Sequence, residues 1–105
     1  MKNPPIIKWV SCMIIDAIEA KKSEISFTIQ SPPRFMMDGK EIVPDSETTK
    51  RMINRLKIMS KLTPMIYSEL THGEIKLRAK DKDYDICSSF LDSKDNQECI
   101  LKIKR

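Results

Sequence analysis

Residues 74–104 read EIKLRAKDKDYDICSSFLDSKDNQECILKIK, and this stretch decides the fold. Apolar residues alternate with polar ones in three successive segments, which predicts half-buried strands at about 74–80, 84–91 and 98–104. The Asp-rich stretches between them, 81–83 and 92–97, predict turns. Because consecutive strands joined by tight turns pair antiparallel, we expect this part of the chain to form a meander.

Helical and strand patterns alternate before this meander. Apolar residues spaced by three and four predict helices at about 6–21 and 46–62, and strict alternation predicts a strand at 23–30. Asp38-Gly39 is the strongest hairpin signal in the chain and joins short strands at 34–38 and 40–43. The predicted order is α-β-β-β-α-β-β-β. It favours an α+β domain in which two helices pack on one face of a mainly antiparallel sheet of about five to six strands.

Composition limits the possible functions. The chain has 105 residues, which fits one domain over 1–105, and its two glycines are too few for a Gly-rich phosphate-binding loop. The three cysteines are widely spaced and form no C-x-x-C pair, so we expect reduced, mostly buried thiols in a cytoplasmic protein. The most apolar stretch, 6–20, is too short and too polar to enter a membrane as a spanning helix.

Two groups of side chains could carry chemistry. Asp81, Asp83 and Asp85 could bind a metal or act as acid and base, but Asp is also favoured at a hairpin turn for its local hydrogen bonds. His72 could act as a general base, although no Ser or Cys nucleophile has a motif context that pairs with it. The sequence therefore predicts no catalytic site, no metal and no cofactor.

The second predicted helix offers the most suggestive surface. Its basic side chains outnumber the acidic ones, and either a solvated face or a contact with an acidic protein, phosphate or nucleic acid explains them. Aromatic residues are not interleaved with these charges, which disfavours RNA binding. Met36, Met37 and Met65 could add an adaptable contact surface. The candidate partner-binding residues are Lys50, Arg51, Arg55, Lys57 and Lys61.

Six segments, taken in order, resemble the ATPases of type II secretion and type IV pilus assembly. The segment 14–26 resembles their A-x-x-x-x-A-S-D-I-H pattern, 34–39 resembles R-Y-R-I-D-G, and 52–62 resembles I-x-x-R-L-K-I-M-A-x-L. The segments 72–78, 84–89 and 100–103 are similar to D-G-R-I, D-L-R-V-S and V-L-R-I. The resemblance covers about residues 10–104. It implies the PAS-like N-terminal domain that precedes the RecA-like motor core, with that core beginning beyond Arg105.

The departures from these patterns bear on nucleotide binding. The resemblance implies that arginines of this domain help to surround nucleotide, yet Met36, Glu74 and Cys87 stand at three of those positions. None of these side chains replaces a guanidinium group. The S-D-I-H pattern reads Ser-Glu-Ile-Ser at 23–26. The family positions that are retained are Arg34, Asp38, Gly39 and Gly73.

We therefore expect a non-catalytic interaction or assembly domain whose partner is a protein, either a component of secretion or pilus machinery or another copy of itself. Two alternatives stay open at this point. The chain could be the N-terminal part of a working secretion or pilus ATPase, or it could be a small basic module that binds nucleic acid or a ligand. The net charge of +4 is too mild to favour nucleic acid.

Overall fold

The computed structural model describes residues 5–62, 70–93 and 95–104. The predicted order of elements and the α+β class are both confirmed, whereas Met65 lies outside the described residues. The elements in chain order are α1 (Ile6–Glu19), β1 (Glu24–Thr28), β2 (Phe35–Met37), β3 (Lys40–Ile42), α2 (Ser46–Met59), β4 (Leu70–Ala79), β5 (Lys82–Asp92) and β6 (Gln97–Lys104).

The strands divide between two antiparallel sheets. The larger sheet has the order β1-β6-β5-β4, and β2 and β3 form a separate hairpin. The meander predicted from the final third of the chain is therefore present, and β1 joins it by pairing with the last strand, from Glu24 opposite Lys102 to Thr28 opposite Glu98. A local sequence pattern does not reveal this last pairing, because it joins residues far apart in the chain.

The turn between β4 and β5 begins one residue earlier than predicted and is one residue shorter. Ala79 pairs with Lys82, which leaves a two-residue loop at Lys80 and Asp81 rather than a turn at 81–83. Both loop residues have positive φ, 51° and 62°. Two consecutive residues with positive φ form a turn that matches the twist of the flanking strands. Because the loop ends at Asp81, Asp83 belongs to β5 and not to the turn. There its carboxylate accepts a 3.2 Å hydrogen bond from Arg78.

Both helices end two or three residues before their predicted limits, and they end in the same way. Lys21 and Lys61 have φ of 59° and 63°, the left-handed conformation that usually belongs to glycine. The backbone N–H of the residue after each lysine donates to a carbonyl oxygen five positions back: Lys22 to Ala17, and Leu62 to Lys57. These are Schellman caps, built with lysine in a chain that has almost no glycine.

The core lies between the helices and one face of the larger sheet. Alternate residues of β5 and β6 point toward the helices and are buried, as are the apolar stripes of α1 and α2. Trp9 of α1 meets Phe35 of β2 edge to face, with ring centroids 6.2 Å apart, so α1 also packs against the hairpin. The opposite face of the sheet carries mostly exposed polar side chains.

Gly73 allows β4 to approach the end of α2 closely. A Cβ atom at this position would lie 2.6 Å from Ser60 Cβ and 3.0 Å from the Ser60 carbonyl oxygen. Ser60 in turn donates to the Leu56 carbonyl and lies 2.7 Å, Oγ to Oγ, from Ser88. The glycine therefore serves the packing of α2 against the sheet.

Candidate functional site

The predicted basic surface of α2 is smaller than its sequence suggests. Lys50 and Arg51 are exposed, and Arg51 lies 3.7 Å from Glu47, one turn earlier. Arg55 is only half-buried, but its Nε is shielded from solvent and has no hydrogen-bond partner among the described residues. Lys61 is exposed beyond the end of the helix, in the Schellman cap.

Lys57 does not lie on this surface, so the expectation that it helps to bind a partner is wrong. Its side chain is 2% exposed and its ammonium group forms an ion pair with Asp92, which is 3% exposed. The ammonium also lies 5.9 Å from the centre of the Phe90 ring. Burial with a carboxylate and an aromatic ring satisfies the charge inside the core and removes it from any contact with a partner.

The sequence did contain a signal for this buried pair. Lys57 follows Ile53 by four residues and Leu56 by one, which places it at the margin of the apolar stripe of α2. Asp92 extends the alternation of Tyr84, Ile86, Ser88 and Phe90 along β5 and therefore points inward. The spacing of both residues predicts that their side chains point toward the core, whereas their charges suggest that they are exposed to solvent.

An open groove lies between the N-terminal ends of the two helices. It has a volume of about 540 Å³. Its apolar part contains Trp9, which is half-buried, and Val43, which is 50% exposed. Its polar part contains Arg51, so the exposed end of the basic surface and the groove are continuous. The residues lining it are Pro5, Ile6, Trp9, Val43, Pro44, Asp45, Thr48 and Arg51.

The carboxylate in this groove is already engaged by the protein. Asp45 is the N-cap of α2, and its Oδ1 accepts a 2.7 Å hydrogen bond from the backbone N–H of Thr48. This hydrogen bond holds the pKa of the Asp45 carboxyl below its ordinary value. Arg51 therefore supplies the charge in the groove that a partner can best use, because its 3.7 Å contact with Glu47 is exposed and weak.

The family positions retained in the hairpin have local structural roles. Arg34 donates to Glu41 across the β2–β3 hairpin at 3.0 Å, and Asp38 accepts from Lys8 of α1 at 2.9 Å. Asp38 and Gly39 form the turn itself, with φ of 53° and 78°. Gly73 belongs to β4 and contacts the end of α2, so these four positions do not form one site.

The positions that lack the family arginines also lie apart. Met36 is 45% exposed on the hairpin, whereas its neighbour Met37 is buried. Glu74 and Cys87 stand opposite each other in the β4–β5 ladder, on the open face of the sheet. None of the three supplies a cationic group to that face or to the hairpin.

The register of β4 and β5 brings His72 to a serine that sequence reasoning had not paired with it. The Nδ1 of His72 lies 3.0 Å from Ser89 Oγ. A Ser–His contact is one part of a nucleophilic site, but such a site also needs a group that orients the base and a pocket for the reacting atom. This pair lies on the open sheet face, and among the described residues no hydrogen bond joins His72 to a carboxylate.

The remaining candidates for metal or redox chemistry are dispersed. Asp81, Asp83 and Asp85 are exposed along the β4–β5 hairpin, and within the described ranges no three His, Cys, Asp or Glu side chains are grouped as a metal would require. Cys99 is buried, and Cys12 and Cys87 are half-buried; all three are free thiols. In the part of the chain that the structure covers, neither helix has the length and apolar character needed to cross a bilayer.

Comparison with known proteins gives a consistent direction. No family model matches the chain. Type II secretion system protein E of Dickeya dadantii is 29% identical over 107 aligned positions, and the protein of the same name from Pseudomonas aeruginosa is 28% identical. The chain is similar to type II secretion system protein E.

The aligned region covers nearly all of this chain but only a small part of each relative. It takes in 96% of this chain but only 22% of the Dickeya protein and 21% of the Pseudomonas protein. A third protein E, from Pectobacterium carotovorum, is 27% identical with the same coverage of this chain. The chain thus spans about a fifth of the length of the curated relatives it matches.

Proposed function

We propose that this chain is a non-catalytic protein-interaction domain related to protein E of type II secretion, acting in the cytoplasm within secretion or pilus machinery. Its similarity to protein E over 96% of its length carries the proposal. The α+β order and the motif resemblance support the finer assignment, a PAS-like domain of the kind found at the N-terminus of these ATPases.

The groove between the helices is the surface best suited to a protein partner. Trp9 and Val43 offer apolar contact area beside the guanidinium of Arg51, and aromatic and Arg side chains dominate the binding energy of many interfaces. The fitting occupant is an apolar segment of a partner protein that carries a carboxylate next to its apolar residues. Arg51 would bind that carboxylate through two parallel hydrogen bonds.

The single tryptophan of the chain makes this proposal directly measurable. Purified components of the secretion system of the same organism are titrated into the chain while Trp9 emission is recorded. One component should produce a saturable change. Arg51→Glu should weaken that binding about tenfold or more, because it replaces attraction by repulsion at the groove. Val43→Asp should weaken it as well, since the substitution puts a charge on the apolar wall.

Lys104→Glu is the matched control, since it makes the same reversal of charge on the open face of the sheet. Its binding should equal that of the wild type. Failure of every component to bind, or an equal loss in the control, contradicts the proposal.

A second function is favoured by the coverage of the relatives. Because the chain matches about a fifth of protein E, it is equally suited to be the first domain of a working ATPase, with the motor core elsewhere in the same polypeptide. A G-x-x-x-x-G-K-[S/T] motif downstream in the same reading frame would support this second function. In both cases residues 1–105 alone should hydrolyse no ATP, so turnover by the isolated chain would overturn both.

The burial of Lys57 weakens the alternative of a basic module that binds nucleic acid or a ligand. With that charge buried, the exposed cations of α2 are divided between its first half and its C-terminal cap. A nucleic-acid binder of this kind predicts an affinity that falls steeply with salt, and a titration with duplex and single-stranded oligonucleotides at two salt concentrations tests it.

A further inference from the structure

Strand β4 is an edge strand of the larger sheet. It pairs with β5 along all ten of its residues, and within the described ranges no strand pairs with its other side. Edge strands of this length present a row of backbone donors and acceptors that another strand can extend. The opposite edge, β1, has five residues and is followed by Pro32 and Pro33. Among the described strands of the larger sheet, β4 therefore presents the edge better suited to strand addition.

The two faces of β4 restrict what can pair with it. Ile75 and Ala79 are buried toward the helices, whereas the alternate residues, including Glu74 and Lys76, are exposed on the open face. An added strand has to continue both faces, with apolar residues on the helix side and polar residues on the other. The strand β4 of a second copy has the same alternation. When two copies of β4 run antiparallel, residues on the helix side can therefore face each other, as can residues on the open face.

The charges of β4 select one register for such a pairing. With Ile75 at the two-fold axis, Glu74 of each copy stands opposite Lys76 of the partner subunit, on the open face. A shift by two residues in either direction instead places Glu74 opposite Glu74, or Lys76 opposite Lys76. Opposite charges at facing positions stabilise antiparallel strands and like charges destabilise them. The first register and the one with Glu74 at the axis overlap the strands equally, each omitting one of the ten residues of β4, so charge rather than length distinguishes them.

We infer that two copies of this chain pair antiparallel through β4 about Ile75 and form one continuous sheet with the helices of both copies on the same face. The inference goes beyond the proposed function, because no β4 residue lines the groove. The two surfaces are separate, so a dimer can still bind a partner.

Charge exchange at Glu74 and Lys76 tests the pairing. The wild-type chain should show a concentration-dependent dimer in sedimentation equilibrium. Glu74→Lys and Lys76→Glu should each weaken it about tenfold or more, since each turns two symmetry-related attractions into repulsions. The double variant should regain the wild-type dissociation constant, because it restores the opposite charges with their positions exchanged.

Lys104→Glu is a closely matched control. Lys76 and Lys104 flank the same residue, Asp85, from the two neighbouring strands, so both substitutions reverse a charge beside the same carboxylate. Only Lys76 lies on the edge, so Lys104→Glu should leave dimerisation unchanged. Thermal melts of each variant verify that it is folded. A wild type that stays monomeric at all concentrations, a double variant that fails to recover, or an equal loss in the control overturns the inference.

Discussion

Lys57 and Asp92 form an ion pair in which both side chains are almost completely removed from solvent. Removing two charges from water costs several kcal/mol each, and their mutual attraction offsets this cost only while both are present. The remaining oxygen of Asp92, Oδ1, has no hydrogen-bond partner among the described residues, which leaves Lys57 as the main compensation for that carboxylate.

Replacing only one residue of this ion pair should therefore lower the free energy of unfolding more than replacing both. Lys57→Met leaves the Asp92 carboxylate buried and unpaired, and it should lower the free energy of unfolding by about 3–5 kcal/mol. Asp92→Leu should be comparably harmful, because it leaves the ammonium alone. The double variant should be more stable than either single variant, as urea unfolding of all four proteins would measure. Additive losses would mean that the two side chains do not compensate each other.

For individual residues, the sequence indicated which side chains point toward the core better than it indicated which side chains they contact. The spacing after Ile53 places Lys57 at the edge of the buried stripe, yet a lysine on a helix is normally read as exposed. Its compensation comes from Asp92, thirty-five residues later, and a contact of that separation depends on how α2 crosses the sheet. For the same reason the contact between His72 and Ser89 emerged only with the register of β4 and β5.

Helix α2 begins at a cap that should respond to pH. Hydrogen bonding from Thr48 holds the pKa of the Asp45 carboxyl below 3.8, its value in an unfolded chain. Since the folded form binds this proton less tightly, the contribution of Asp45 is complete above that pH and is lost as the pH falls through the lower, folded-state pKa.

The wild type should thus melt at a higher temperature than Asp45→Ala at neutral pH, and the difference should shrink in acid below pH 3.8. Asp45→Asn keeps an oxygen acceptor but cannot ionise, so its advantage over Asp45→Ala should change little with pH. Melting curves of the three proteins between neutral and strongly acidic pH would check this. A difference that grows in acid would show that the carboxylate does not act as the cap.

Element boundaries show which local rules the sequence made visible. The turn at Asp38-Gly39 could be predicted from the sequence, because both residues commonly adopt positive φ. Lys80-Asp81 adopts the same kind of turn, and Lys21 and Lys61 end their helices in the left-handed conformation, although lysine gives no such indication. With two glycines in the chain, tertiary packing rather than residue preference fixes these ends.

The whole molecule has one thiol that should report on global unfolding. Cys99 lies in the central strand β6 with no exposed surface, and burial raises the pKa of its thiol. A protonated, inaccessible thiol does not attack a labelling reagent, so Cys99 should react only when the whole domain opens.

A variant with Cys12→Ala and Cys87→Ala leaves Cys99 as the single thiol for this measurement. Its labelling rate should rise with urea along the same slope as global unfolding followed by Trp9 fluorescence. Labelling in the absence of urea at the rate of the unfolded chain would show that β6 opens locally.

At this scale the sequence predicted the class and the order of elements, but not how the strands are shared between sheets. The hairpin and the meander follow from short turns, which are local. The pairing of β1 with β6 is not local, because Glu24 stands opposite Lys102. The meander has two edges, β4 and β6, and the tertiary arrangement places β1 beside β6. No local sequence pattern selects between these two edges.

That pairing has a consequence for how the polypeptide matures on the ribosome. The first strand to be synthesised can complete its ladder only after the last strand has emerged, so the N-terminal half waits in an incomplete state throughout translation. Phe27 faces Cys99 in this ladder and has no cross-strand neighbour before then. A premature stop anywhere upstream of residue 97 would leave β1 unpaired, and such shortened products should be substrates for chaperones and proteases rather than partly functional domains.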